Sequence, residues 1–369
     1  SYPLMSAIQV LCAQIGRVTG RGLAANIKVN FSPVIVVLLV FLLLLANILN
    51  IAADIAAMGE VSQLVTGVDW HIMTVVFVLI TLVLQIFVPY HRYIYFLKWL
   101  TLSLLAYAAV LFTVHVPWGD VIWSTFFPTL TLSSDSAAVI VGVFGTTISP
   151  YLFFWQASQE VEDMHINGHK GLLHEEEALG KAEIRRIQWD TWSGMLYSNV
   201  AAYFIILATA VTLHVAGVTD ITTAAQAAQA LRPLAGEFAY LLFAMGILAV
   251  GLIAVPVLAG SAAYALSEVF GWGSSLEDKV TQAKKFYFII ALSVLGALVI
   301  QYSPINPMKA LFWSAVINGL VAVPLMVAIL ILASRSSVMG SYVASKLTLG
   351  LGWFATVLMA LAAVVMFVA

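Results

Sequence analysis

The stretch "GTTISPYLFFWQ", residues 145–156, carries two threonines, a serine and a proline inside a hydrophobic segment long enough to cross a membrane. Pro150 has no N–H and its ring clashes with the carbonyl four residues earlier, so a continuous helix is disfavoured there. Gly145 loosens the preceding turn. The segment is expected to break into two half-helices. Broken backbone is tolerated at membrane depth only where protein buries it or where it lines a wet cavity. Its freed carbonyls and the hydroxyls of Thr146, Thr147 and Ser149 could replace part of a cation's water shell, and the carbonyl end of the outer half-helix adds partial negative charge. The same residues also fit a plain proline kink with hydroxyls bonded back to the helix, and both readings stand at this point.

The whole chain shares this apolar character. Hydrophobic residues make up 62% of it and charged residues 9%, against about a quarter charged in soluble domains. Mean hydropathy is +1.01. This is the composition of an integral membrane protein. Windows of about 20 apolar residues fall near 2–17, 33–57, 72–90, 95–115, 137–158, 192–215, 236–268, 286–302, 308–334 and 348–368, which predicts about ten spans in an all-α fold. The alternating ten-residue strands of a membrane barrel are absent from the sequence.

Charge placement gives an independent count. Of the sixteen Lys and Arg, all but Arg232 and Lys309 fall on alternate connections, beginning with Arg17, Arg21 and Lys28. Cytoplasmic loops carry the positive excess, so those connections are expected inside and residues 1 and 369 outside. An external Ser1 with no preceding loop suggests one further helix upstream, running outward from a cytoplasmic N-terminus, for about eleven in all.

Enzyme chemistry finds little support. Cys12 is single and lies in an apolar helix, the seven His form no ligand cluster, and no phosphate loop, zinc-protease pair or nucleophile elbow occurs. Two more polar segments interrupt the spans. Residues 160–190 read as a solvated amphipathic helix with flanking turns, and 220–235 as a short external helix capped by Asp220 or Thr222 and ended by Pro233 and Gly236.

Several extended runs together resemble the natural-resistance-associated macrophage protein (NRAMP) family of divalent-metal transporters. They are "IGRVTGRGLAANI" at 15–27, "NIAADIAAMGE" at 50–60, "GTTISPYLFFWQASQEVED" at 145–163, "AVPVLAGSAAYALSE" at 254–268 and "KALFWSAVINGLVAVPLM" at 309–326. The likeness is greatest to the NRAMP-related branch associated with magnesium. It implies one transporter domain over 1–369 with a leucine-transporter-like inverted repeat. Residues 2–115 would hold helices two to five, 137–158 the broken sixth, 192–334 helices seven to ten and 348–368 the eleventh, with the first helix missing.

The departures from the family pattern bear on selectivity. Ordinary members carry Ala-x-x-Met-Pro-His on helix six, where the Ala carbonyl and Met thioether bind the ion; here Thr146, Ser149 and Tyr151 hold the Ala, Met and His positions. A thioether suits soft ions and a hydroxyl suits hard ones. Mg²⁺ keeps several of its waters, and Ser in place of Met leaves room for them. The expected cargo is therefore partly hydrated Mg²⁺, with Mn²⁺ also able to pass. On helix three the family's Asp-Leu-Ala-Glu becomes Asp54, Ile55, Ala56, Ala57, and Asp163 aligns near the family's inner Arg. A proton relay needs connected titratable groups, so uptake is expected to be uncoupled from protons. The alternatives are a proton-coupled Mn²⁺ or Fe²⁺ importer, a sodium-coupled amino-acid carrier on the same fold, and a non-transporting receptor or scaffold.

Asp54 is read either as a functional intramembrane acid or as a packing group bonded to Asn47 or Asn50. Glu60 lines the outer vestibule or faces headgroups, and Glu160, Glu162 and Asp163 attract a departing cation or simply end a helix in water. Trp155 packs between helices or walls the cavity beside Gln156, and Asn318, next to Gly319, is a candidate second contact to the ion through water. No cofactor and no nucleic-acid partner are expected, and the protein is expected to act as a monomer in the cell membrane.

Overall fold

The computed structural model describes residues 1–88, 116–127, 134–166, 177–218, 223–273 and 275–368, with isolated positions between them. All regular elements among the described residues are helical. Eight of the helices are long and apolar enough to cross a membrane, counting Ser136–Ile166 as one across its break. The window at 2–17 is also a helix, but Ser6, Gln9, Gln14 and Arg17 make it more polar, and it is enclosed by its neighbours. The window at 95–115 lies almost wholly outside the described residues.

The first half runs α1 (Tyr2–Thr19), α2 (Leu23–Asn30), α3 (Pro33–Thr66), α4 (Trp70–Phe87) and the short α5 (Trp118–Phe126). The broken segment is α6 (Ser134–Thr147) followed by α7 (Pro150–Ile166). Then come α8 (Glu177–Thr209), continued by a wider π turn at Ala210–His214, and α9 (Ala224–Phe270), α10 (Lys284–Gln301), α11 (Pro307–Ser334), α12 (Ser336–Met339) and α13 (Lys346–Val368). Local chemistry sets many of these boundaries. Gly20 and Gly271, with φ near 65° and 68°, close α1 and α9 in the left-handed conformation. Pro33 opens α3, and Asn306 caps α11 by accepting from Met308 N and Lys309 N at 2.9 and 3.1 Å.

One sequence expectation changes here. Residues 220–235 do not form a separate helix, because α9 runs unbroken through Pro233 and Gly236. Proline inside a helix removes one hydrogen bond without forcing a stop when packing holds both sides. Thr223 is the cap, accepting from Gln226 N at 3.1 Å, while Asp220 and Thr222 lie outside the described residues. Of the polar stretch 160–190, residues 160–166 end α7 and 177–190 begin α8, while 167 and 169–176 lie outside the described residues.

The helix order repeats. A helix, a short arm and a long helix (α1, α2, α3) recur as α8, the start of α9 and its remainder, and α4 is matched by α10. Counterparts touch: α3 packs along α9, α1 against α8 and α4 against α10. Small residues allow the central approach, as at Gly251, where a side chain would overlap Met58 of α3. The buried core gathers α1, α3, α7, α9 and α11, whereas large apolar side chains on α3, α4, α10 and α13 point outward, as a lipid environment permits. Arg17, Lys28 and Arg186 mark one end of the bundle, the basic face, where Lys28 Nζ donates to Val269 O at 2.6 Å.

Candidate functional site

The helix break occurs where Pro150 requires it. α6 ends at Thr147 and α7 begins at Pro150, with Ile148 and Ser149 between. Ile148 N still donates to Phe144 O at 2.6 Å, and Leu152 N to Ser149 O at 3.1 Å. The carbonyl of Thr146 meets Pro150 four residues on and so has no helical donor. Thr146 Oγ1 and Thr147 Oγ1 each donate to Val143 O at 2.9 Å, and Ser149 Oγ donates to Gly145 O. Back-bonding is therefore present. It occupies the hydroxyl protons and leaves oxygen lone pairs for a further partner.

The three hydroxyls face different surroundings. Ser149 is fully buried, Thr147 half-buried, and Thr146 exposed along a crevice of about 340 Å³ between α6 and α11. Ser149 comes together with two groups from the sequence expectations: its hydroxyl interacts with the Tyr151 phenol, which lies in the field of the Asp54 carboxylate on α3. Asp54 is not held by the neighbours considered for it. Asn47 Nδ2 donates to Leu258 O at 2.8 Å, and Asn50 Oδ1 accepts from Ser314 Oγ, so both asparagines tie α3 to other helices.

α11 supplies the opposite wall. A side chain at Gly145 would overlap the Ala315 carbonyl and crowd Gly319 N, which fixes α6 directly on α11. Asn318, adjacent to that contact, is 2% exposed and its Oδ1 has no partner among the described residues. Trp155 packs edge-on to Tyr264 with centroids 6.0 Å apart, over Gly260, where a Cβ would meet its ring; Gln156 is half-buried. Cys12 is buried in the core.

Farther along α7, charge replaces shape. Arg17 Nη1 contacts Asp163 Oδ2 at 2.8 Å and Arg17 Nη2 contacts Glu183 Oε2 at 2.7 Å. Arg186 reaches Glu160 Oε2 at 2.7 Å and Glu183 Oε2 at 3.0 Å. Glu162 accepts from the Tyr264 hydroxyl and from Leu276 N, the latter at 2.8 Å. Glu160 and Glu162 are thus buried and bonded, neither water-facing nor free to draw a cation. Glu60 borders a small cavity with Ala57, Thr223 and Met308, and its Oε2 also accepts from Ala224 N at 2.9 Å and Ala225 N at 3.4 Å, capping α9.

Sequence reasoning missed Arg17, counted only as a loop charge, and Gln9. Both amide atoms of Gln9 are buried without a partner among the described residues. A side chain at Gly16 would overlap Ala157 O, so α1 and α7 touch there. Gln9 precedes Gly16 by seven residues and Pro150 precedes Ala157 by seven, about 10 Å along each helix. Both helices run toward the basic face, so Gln9 lies level with the break. The signal was a glutamine in the middle of an apolar run.

The whole chain, residues 1–369, matches the natural resistance-associated macrophage protein-like family. The protein belongs to this family. It is 24% identical over 361 residues to the divalent metal cation transporter MntH of Klebsiella pneumoniae subsp. pneumoniae, spanning 94% of this chain and 79% of that one. It is 26% identical over 256 residues to MntH of Bradyrhizobium diazoefficiens, or 66% of this chain and 54% of that one. The crystal structure of the Eremococcus coleocola manganese transporter with an aromatic bis-isothiourea substituted compound superposes with a TM-score of 0.68 and 16% identity. The match covers 98% of this chain and 76% of that one. The likeness establishes the leucine-transporter-like inverted repeat of this NRAMP protein.

Proposed function

We propose that this NRAMP protein is a divalent cation transporter that carries Mg²⁺, and Mn²⁺ less selectively, into the cell by alternating access without proton coupling. The observation that carries the proposal is the buried Ser149 hydroxyl at the helix break, which interacts with Tyr151 in the field of Asp54. With the unpaired carbonyl of Thr146 and the amide of Asn318, the groups at this level offer oxygen, which suits a hard cation. Mg²⁺ sheds its water reluctantly, so the ion is received with part of its shell and contacts several of these oxygens through water. The basic face is in the cytoplasm. An inside-negative potential contributes roughly 2.3 kcal/mol per charge per 100 mV, enough to accumulate a divalent ion unaided.

Full-length protein in liposomes, with a Mg²⁺ dye and a pH dye inside, tests this. Uptake is expected to follow the imposed voltage and the Mg²⁺ gradient with no accompanying acidification. Ser149→Met adds a soft ligand and takes space from water, and is expected to shift preference toward Cd²⁺ or Mn²⁺ over Mg²⁺ by roughly tenfold. Acidification that tracks uptake and vanishes in Asp54→Asn would overturn uncoupled transport and make Asp54 a proton carrier. An absence of divalent flux would favour a receptor or scaffold.

A further inference from the structure

Glu268, two residues before the end of α9, lies where three elements meet. Its Oε1 accepts from Ser158 Oγ of α7 at 2.8 Å. Its Oε2 accepts from Ala24 N and Ala25 N in the first turn of α2, at 2.9 and 3.3 Å. The first amides of a helix have no partner within it, and a carboxylate both satisfies them and suits the positive end of the helix dipole. The fit is close: a Cβ at Gly22, the residue before α2, would overlap this carboxylate. One side chain thereby joins the long helix α9, the arm α2 and the half-helix α7.

The opposite repeat contains the same cap. Glu60, near the end of α3, accepts from Ala224 N and Ala225 N at the start of α9, as Glu268 does from Ala24 and Ala25. α3 and the body of α9 are counterparts, so an acid at the end of each long helix holds the arm of the other repeat. The two caps match. Among the described residues only Glu268 also reaches a half of the broken helix, through Ser158.

We propose that Glu268 is a positioning residue that latches the half-helix α7 to the arm α2 and so holds the basic-face side of the site closed. Ser158 is eight residues beyond Pro150, about two turns, and is nearer the break than the ties at Glu160, Glu162 and Asp163. For α7 to swing away from α2, Ser158 must release Glu268. The cap on α2 does not have to open, so the arm stays seated while the half-helix moves. The consequence for transport rests on the function proposed above, whereas the coupling between α7 and α2 does not.

Hydrogen exchange on the purified full-length protein, read by mass spectrometry, tests the coupling without reference to any ion. Ser158→Ala is expected to raise exchange several-fold in residues 150–166 and leave 23–30 unchanged. Glu268→Gln is expected to raise both, and Glu60→Gln to raise the first turn of α9 alone. In liposomes Ser158→Ala is expected to alter the maximal Mg²⁺ uptake rate several-fold with KM within about twofold, and Ser158→Thr to restore it. Unchanged exchange in 150–166 for Ser158→Ala, or a uniform rise across all helices in Glu268→Gln, would overturn the latch. If the parent protein moves no divalent cation, the exchange pattern still decides the coupling, and the failure belongs to the transport proposal.

Discussion

The two halves of the broken helix are held in different ways. α6 is seated on α11 by backbone contact at Gly145 and Gly319, and its threonine hydroxyls bond to its own carbonyls. α7 is tied through Ser158, Glu160, Glu162 and Asp163 to α9, α8, the loop at Leu276 and α1. Close packing has no graded intermediate, since a helix either fits or must leave. Polar contacts near the basic face can exchange with water one at a time. α7 has a close backbone contact too, at Gly16 and Ala157, so what separates the halves is the charged and polar ties that α7 alone adds, and that difference can be broken or sharpened by substitution.

The largest effect is expected at Arg17. Its side chain is 5% exposed and faces Asp163, Glu183 and Glu160, acids that Arg186 also contacts. Arg17→Met leaves Glu160, 7% exposed, and Glu183, 20% exposed, short of one cation. Removing one partner of a buried ion pair costs about 3–5 kcal/mol. Asp163 is 49% exposed, and Asp163→Asn is expected to cost only about 1 kcal/mol, because water already screens that pair. Thermal unfolding in detergent should show a large fall for the first variant and a small one for the second. Equal small falls would mean that charge does not hold α7.

Gly145→Ala tests the other half. The new methyl would overlap the Ala315 carbonyl, which is backbone and cannot turn aside. Overpacking of this kind costs about 1–3 kcal/mol, and α6 must shift off α11. Gly142→Ala is the control. Its Cβ would meet Phe312 Cε2 at 3.7 Å and Val316 Cγ2 at 3.9 Å, which is ordinary contact. A change within about 0.5 kcal/mol is expected there. If the two alanines behave alike in thermal unfolding, shape is not what fixes α6.

Much of this contrast was hidden in the sequence for a physical reason. Pro150 announced the break because a missing N–H acts locally, and apolar length announced the spans because the bilayer has one thickness. Charge placement assigned Arg17 to a side of the membrane but not to a depth or a partner, since the alternation rule counts loops and Arg17 faces inward among acids from two other helices. Glu60 and Glu268 were likewise readable as acids near helix ends, while the amides they cap begin more than 160 and 240 residues away in the chain. Asp54 and Tyr151 were each singled out, but that one lies in the field of the other depends on how α3 crosses the break.

The smallest expected effect is at Thr146, and it bears most directly on what α6 contributes to the ion. Its hydroxyl donates to Val143 O on the exposed side of the helix. Thr146→Val keeps the shape, and stability is expected to change by no more than about 0.5 kcal/mol. The group freed by Pro150 is the Thr146 carbonyl, which valine also has, so KM for Mg²⁺ in liposomes is expected to stay within about twofold of the parent. Ser149→Ala removes a buried oxygen beside Tyr151 and is expected to raise KM severalfold. A rise in Thr146→Val equal to that in Ser149→Ala would make the threonine hydroxyl a contact to the ion. α6 would then supply side-chain chemistry as well as shape, and the contrast between a half held by shape and a half tied by polar groups would no longer hold.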